Sequence, residues 1–594
     1  MYAEDEIREA WKAHYERLLN VEFEWDKEQL SIEKPISGPP PLIAPAVVSD
    51  AINKMKDGKA PGCSDIVAEM IKASGEIGVN LVTELINTII KDEKIPEDWL
   101  KSVIVNIYKG KGDALDRGNY RGLKMLDQIM KVCERVLEGL IRQSISIDDM
   151  QFGFMPGRGT TDAIFIVRQI QERYLLKGRD LYFVFVDLEK AFDRVPRDVV
   201  QWAMRKLGVE EWLVRVIMKM YEDSRSSVRV KGVLSDEFAV RVGVHQGSVL
   251  SPLLFIMVLE ALSRVFRGGL PLELFYADDL VIIADSMQDA EAKFREWREG
   301  MASKGLRVNI NKTKVMHCRL RRGNVEKSGA YPCAVCGKGV GVNSIQCSIC
   351  RCWVHHGSKR CSRIKGPLPK DKSEIEKFEC VVCKGELVLS DDPVAVNFGN
   401  ESLELVNKFC YLGDTISAGG GAEAATVARI RCGWGKFREL MPILTMKRMP
   451  LPLKGKVYAS CVRSAMTYAS ETWAVKVEDV NRMERNEMRM VRWMCGARLQ
   501  DRITNVELRR RLGIKSISEV MRTSRLGWYG HVERMDEQNW VKKCRSVIVE
   551  GAAPRGGPRK TWDRTIRADL KSKNLTSEAA LNRVAWNAAI RTRD

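Results

Sequence analysis

The sequence predicts an α+β chain of several domains, and three observations support this. Short apolar runs ending in carboxylates stand in the middle of the chain, paired cysteines interrupt it, and helical patterns with basic faces close it. A chain of 594 residues is too long for one hydrophobic core, so about three or four domains are expected. At 45% hydrophobic and 29% charged residues, the composition is that of an ordinary soluble globular protein. No run reaches the roughly 18 uninterrupted apolar residues of a membrane span, since the longest candidate carries Glu260 and Arg264. The first twenty residues are charged with a helical period, unlike a signal or transit peptide.

The central strands come first. LYFVFVDLEKAFDRVP (181–196) opens with six mostly β-branched or aromatic residues, the pattern of a buried strand, and Asp187 closes it. Pro196 is placed to open a helix over 195–208. FYADDLVIIADS (275–286) reads as strand, tight turn, strand, with Asp278 and Asp279 at the tip. Adjacent carboxylates repel, and a divalent cation makes such a pair tolerable. Taken singly, each has a plainer reading: Asp187 as a helix N-terminal acid, the pair as a surface turn. If both strands share a sheet, three carboxylates converge. Such a set could clamp an in-line phosphoryl displacement with two Mg²⁺ ions about 4 Å apart. One ion would activate an attacking 3′-hydroxyl, and the other would hold the triphosphate and departing pyrophosphate.

Between these elements lies RVGVHQGSVLSPLLFIMVLEALSRVF (241–266), a strand, a polar His245-Gln246-Gly247-Ser248 loop and a long apolar helix. Gly247 would let backbone approach a nucleotide closely, and Gln246 offers both donor and acceptor. In this order the three segments resemble motifs A, B and C of the reverse-transcriptase palm, in the versions of non-LTR (LINE-type) retrotransposons. KMKDGKAPGCSDIVAEMIK (54–72), IYKGKGD (107–113) and NYRGL (119–123) resemble that family's fingers. GLRVNINKTKV (305–315) resembles motif D, and FCYLGD (409–414) resembles motif E, the primer grip.

The resemblance implies a right-hand polymerase with fingers, a palm built on an antiparallel sheet, and a helical thumb. Its segments would be an N-terminal helical segment (1–50), fingers (51–180) and palm (181–320), then primer grip and thumb (386–500) and a basic C-terminal region (501–594). It implies that Asp187 and Asp278 ligate the metals, with Asp279 in a lesser role. Phe192 would stand where the family keeps an aromatic steric gate against a ribose 2′-hydroxyl; core packing is the competing reading. Lys109 and Arg121 would meet the incoming triphosphate, Arg by its bidentate fork. Lys312 would protonate the departing pyrophosphate, although Lys314 is only two residues away. Glu189 and Asp193 read as structural.

Eight of the sixteen cysteines fall within 333–383, three pairs of them as Cys-x-x-Cys. Thiolates so spaced chelate Zn²⁺, and disulfides are the competing reading. The order resembles a cross-braced, plant-homeodomain-like (PHD-like) finger inserted over 331–385. That resemblance implies one Zn²⁺ on Cys333, Cys336, His355 and Cys361. A second would sit on Cys347, Cys350, Cys380 and Cys383, with Trp353 as a buried prop. Five residues separate His355 from Cys361 where the family usually has two, so His356 or Cys352 stays open as a substitute. The insert's ligand, whether chromatin, nucleic acid or none, also stays open.

Charge divides unevenly. Residues 401–594 hold 37 Lys and Arg against 21 Asp and Glu, a net of +16 out of the whole chain's +18. A basic final third suits a grip on a phosphate backbone; a generic solvated helical surface is the alternative. APRGGPRK (553–560) reads as a basic linker. His531 has no second ligand near it in sequence and reads as structural.

The expected function is therefore an RNA-directed DNA polymerase of a non-LTR retrotransposon, with RNA template, DNA primer and dNTPs as partners. The resemblance places it in the nucleus with a cytoplasmic phase. No endonuclease segment precedes the fingers, so a truncated or split copy is expected. A group II intron-type maturase shares Tyr-Ala-Asp-Asp but lacks the zinc insert. A catalytically silent, zinc-dependent chromatin or nucleic-acid-binding relic is the rival of a different class.

Overall fold

The computed structural model describes residues 4–110, 112–319, 344–347, 353–355, 395–552 and 559–592. In chain order, Lys101–Tyr108 (β1) and Tyr120–Met125 (β2) form a hairpin, and Leu181–Val186 (β3) is the apolar run that ends at Asp187. Arg225–Val230 (β4), Val233–Leu234 (β5) and Phe238–Ala239 (β6) follow. Glu273–Tyr276 (β7), Asp279–Ala284 (β8) and Lys314–Cys318 (β9) come next. Ser344–Gln346 (β10) pairs with Trp353–His355 (β11). Last come Ala395–Phe398 (β12), Glu401–Leu405 (β13), Lys408–Tyr411 (β14) and Asp414–Ser417 (β15).

The central sheet has the order β12-β13-β9-β3-β8-β7. Strand β3 is interior, with β8 and β9 antiparallel on its two sides. Its side chains alternate between two cores. Phe183 and Phe185 face one that includes residues of helix Thr160–Leu176, while Val184 and Val186 face another with helix Ser251–Ser263. Burial on both faces explains why β3 and β8 read as continuous apolar runs rather than alternating ones. Helix Ser251–Ser263 is mostly apolar on every side, as burial of every residue but Pro252 requires, and its buried Glu260 is paired with Arg264 and Arg267.

A second sheet, β2-β1-β4-β5 with β6 on β4, joins distant segments. Strand β4 runs parallel to β1, with Lys101 opposite Arg225. Residues 225–239, which follow the first acid in sequence, thus complete a sheet begun at 101–125. Helix Glu4–Leu18 covers it, packing Tyr15 and Leu18 on Ile104 and Val228. Gly122 is required there, since a Cβ would stand 2.6 Å from the Tyr15 ring.

Helices Glu423–Glu439 and Val477–Cys495 share a third core around Phe437, Met466 and Met490. The last helices, Ile517–Glu533, Trp562–Ser572 and Arg583–Arg591, belong to the central body. Their buried Leu526, Trp562 and Trp586 share the core of Phe183 and Phe185, and Trp562 meets Phe165 edge-on at 4.8 Å. The helix expected over 195–208 spans Arg197–Lys206, with Pro196 as its N-cap rather than its first residue. Among the described residues no helix is long and apolar enough to cross a membrane.

Candidate active site

Ladder register brings the acids together. Val186, the last residue of β3, pairs with Leu280, so Asp187 continues towards the turn that carries Asp278 and Asp279. Tyr276 pairs with Asp279 across that turn, and Ala277 bends through φ 57°. A left-handed alanine costs about 1 kcal/mol or more and persists only where its surroundings hold it. Gln151, itself buried, supplies the hold: its Oε1 accepts from Ala277 N (3.0 Å) and Gly153 N (2.8 Å). Backbone bonds from Phe275 N to Met150 O and from Phe152 N to Phe275 O, both 2.8 Å, lace the same segment to β7. Gly153 has no alternative, because a Cβ there would lie 2.2 Å from Ala277 N.

The acids are short of positive charge. Partial removal from water, then the charges of Asp278 and Asp187, push the Asp279 carboxyl up to about 7. Asp279 is exposed by surface area, so the neighbouring charges are the firmer cause. Burial, reinforced by Asp187, also raises Asp278. The Oδ2 of Asp187 is screened from solvent and accepts no hydrogen bond; Lys312 Nζ stands 3.3 Å from it. Lys314 is committed elsewhere, to Glu404 (2.7 Å) and Asn311 O (2.5 Å). Of the two lysines in the NKTK run, Lys312 is therefore the one at the acids.

Among the described residues no group of three or more Asp, Glu, His or Cys side chains is gathered closely enough to hold a metal ion, these acids included. Mg²⁺ ordinarily keeps several waters and takes one or two carboxylates plus substrate phosphates. A carboxylate oxygen that accepts no hydrogen bond and two carboxyls raised by burial and neighbouring acids form a donor set that such a cation would relieve.

The surrounding loops carry the remaining candidates. Phe192 is half-buried and stacked on Phe255 at 4.8 Å. The Gln246 amide donates to Asp193 Oδ1 (2.7 Å), and Lys124 N donates to Gln246 O (2.9 Å). Gly247, at φ 118°, permits a close approach to the Lys124 carbonyl, 2.5 Å from where its Cβ would be. In this state both residues tie the loop to its neighbours. Lys109 Nζ donates to Gly118 O (2.8 Å). Burial, then the charges of Lys312, Arg121 and Lys190, lower its ammonium. Arg121 and Lys312 also act on Asp278, so these cations share the electrostatic field of the acids.

Residues 107–361 match the family model described as reverse transcriptase (RNA-dependent DNA polymerase). This segment is similar to reverse-transcriptase domains. The chain is 27% identical over 310 residues to a probable RNA-directed DNA polymerase from transposon X-element of Drosophila melanogaster, covering 49% of this chain and 33% of that protein. It is 25% identical over 318 residues to the RNA-directed DNA polymerase from mobile element jockey of Drosophila funebris, covering 49% and 34%. To a Pol polyprotein from a type-1 retrotransposable element R2 of Nasonia vitripennis it is 26% identical over 235 residues, covering 38% and 23%. The chain thus spans about a third or less of the length of these curated relatives.

The same segment also uses groups that motif reading passed over. Besides Gln151 and Gly153, the buried Glu134 accepts from Ser248 Oγ (2.5 Å) and Val249 N (2.8 Å), fixing the loop after Gly247. Burial pushes its carboxyl up to about 7 and the Lys124 ammonium down to about 7. The buried His245 packs 4.6 Å from Tyr221 with both ring nitrogens unpartnered. A glutamine followed by Phe-Gly-Phe was the visible signal for the turn clamp. Of the zinc candidates, Cys347 and His355 lie at hairpin β10–β11. Cys333, Cys336, Cys350, Cys361, Cys380 and Cys383 lie outside the described residues, so the PHD-like pattern rests on sequence alone. His531 is exposed beside Trp528, with ring centroids 5.3 Å apart.

Proposed function

We propose that the chain is an RNA-directed DNA polymerase of a non-LTR retrotransposon, adding dNTPs to a primer 3′-hydroxyl on an RNA template. The observation that carries this reading is the convergence of Asp187 with the Asp278–Asp279 turn across the β3–β8 ladder. Asp187 and Asp278 would hold the metal ions, with Asp279 tuning their field. Bound there, two Mg²⁺ ions would supply the acidity that activates the 3′-hydroxyl and the charge that neutralises pyrophosphate. Lys109 and Arg121 would hold the triphosphate, and Lys312 Nζ would deliver a proton to the leaving oxygen. Phe192 would lie under the sugar, its ring fixed by Phe255, and reject a 2′-hydroxyl by bulk. Gln246 and Gly247 would floor the nucleotide pocket through Asp193 and Lys124.

On this reading the fingers would include hairpin β1–β2, the palm β3 and β7 to β9, and the thumb helices Glu423–Glu439 and Val477–Cys495. The cysteine spacing supports a further assignment, two Zn²⁺ ions in a PHD-like insert over 331–385, tested by metal content of the purified full chain. The polymerase reading is tested by primer extension on poly(rA)/oligo(dT) with dTTP and Mg²⁺, beside Asp278→Asn. Extension by the parent alone is expected. Extension by neither, with salt-sensitive nucleic-acid binding kept, would leave the silent binding relic as the function.

A further inference from the structure

A cavity of about 1210 Å³ opens between helix Thr160–Leu176, the end of β9, hairpin β14–β15 and the start of helix Glu423–Glu439. It is remote from the acids. His317 and Arg319 line it, and the neighbouring Cys318 pairs with Leu181 at the far end of β3. Six residues of extended chain separate Leu181 from Asp187, a distance of roughly 20 Å.

The wall is cationic. Lys408, Arg431, Lys476 and Lys560 line the cavity, are exposed, and make no ion pair among the described residues. Arg559, beside Lys560, donates to Gly419 O (3.1 Å) and so fixes the end of the basic linker on the rim. The acids of the lining have other work. Asp479 caps its helix at Lys476 N (3.2 Å), Glu423 stands 3.8 Å from Arg482, and Glu172 accepts from Trp562 N (2.9 Å). The floor is small-sided: Gly421 (φ +78°) has nothing within 4 Å of where a Cβ would stand, leaving backbone open to close approach, while Gly420 (φ +71°) packs against Leu175. These five cations all fall in the segment that holds +16 of the chain's charge.

We infer that this cavity is a second polynucleotide site, which holds a single strand by its phosphates at the opposite end of the central sheet from the acids. Exposed lysine and arginine heads without carboxylate partners suit a polyanion, and a concave wall concentrates their field. A single strand is flexible enough to enter; a duplex, stiff over about 150 base pairs, is not. Among the described lining residues no Phe, Tyr or Trp supplies a stacking platform, and the His317 ring is already stacked on Tyr182 at 4.3 Å, so recognition is of backbone and not of base sequence. The site's purpose, retaining template or displaced strand during copying, rests on the polymerase reading; its existence does not.

The test is R431Q/K476Q/K560Q in the full chain, measured by fluorescence anisotropy with labelled oligo(rU) and oligo(dT) of roughly 15 nucleotides across a salt series. Affinity should fall roughly tenfold, and the slope of log K against log salt should shrink by roughly 2, about 0.7 per lost phosphate contact. R431K/K476R/K560R should bind like the parent, which separates charge from a folding defect. Loss with oligo(rU) alone assigns the site to RNA, loss with oligo(dT) alone to DNA, and loss with both to either strand. Unchanged affinity and slope with both probes would overturn the inference. Should the parent fail to extend primers while the binding difference persists, the polymerase reading falls and this site stands.

Discussion

Tyr276–Asp279, between β7 and β8, and Tyr411–Asp414, between β14 and β15, are hairpin turns of the same frame, a tyrosine paired across the ladder with an aspartate. Both bend through left-handed residues: Ala277 (φ 57°) in the first, Leu412 (φ 46°) and Gly413 (φ 82°) in the second. Their aspartates meet opposite surroundings. Asp279 is exposed among like charges. Asp414 is fully buried, and its Oδ2 accepts from Arg168 Nη2 (2.6 Å), Arg168 Nε (2.9 Å) and Trp473 Nε1 (3.3 Å). One turn is left electrostatically unfinished and the other is completed by a helix some 250 residues away in sequence. A carboxylate at a hairpin tip thus takes its role from partners that its own four residues do not specify.

Four substitutions sharpen or break this contrast. Asp278→Asn should lower primer extension by about a thousandfold or more, since several kcal/mol of charge stabilisation are lost, while the urea midpoint holds or rises as repulsion is relieved. Asp414→Asn should do the reverse. It leaves the Arg168 guanidinium buried without a counter-charge and should cost about 3–5 kcal/mol of stability, read by denaturant unfolding. A larger midpoint loss for Asp278→Asn than for Asp414→Asn would break the comparison.

Gln151→Ala removes the acceptor that holds Ala277 and should cost about 1–3 kcal/mol. It should also slow extension at saturating dTTP more than it raises KM, because the acid turn loses its position. The smallest effect is on pH. The raised carboxyl of Asp279 binds its proton more tightly folded than unfolded, so metal-free stability should fall as pH rises from 3.8 to about 7. Asp279→Asn should flatten that fall, and Mg²⁺ should raise the parent's Tm more at the alkaline end of this window. An identical pH slope in parent and variant would return Asp279 to an ordinary surface acid.

Much of the centre was legible in sequence because the strands buried on both faces leave unbroken apolar runs with acids at their ends. Register converts those runs into geometry without further information. The Lys312 and Lys314 ambiguity was not resolvable there, since Glu404 lies 90 residues beyond Lys314. The Gln151 clamp, the Arg168–Asp414 pair and the parallel β1–β4 ladder escaped for the same reason, being contacts between segments about 120 to 250 residues apart. Gln246 and Gly247 were read as nucleotide-facing from residue type; the structure shows how Asp193 and Lys124 occupy them. The basic C-terminal region was read from its charge as a grip on a phosphate backbone, and its tryptophans also complete a core that charge counting does not reveal.

Strand β9 ends at Cys318, and the chain next contributes to the same sheet at β12 and β13, with β13 lying directly beside β9. The chain thus leaves and rejoins one sheet on its β13–β9 side, with β9 itself the neighbour of the acid-bearing β3. Loop-like sites of this kind are where added domains are tolerated. The architecture therefore offers evolution, or an engineer, a point of entry where the chain steps out of the central sheet and returns to it.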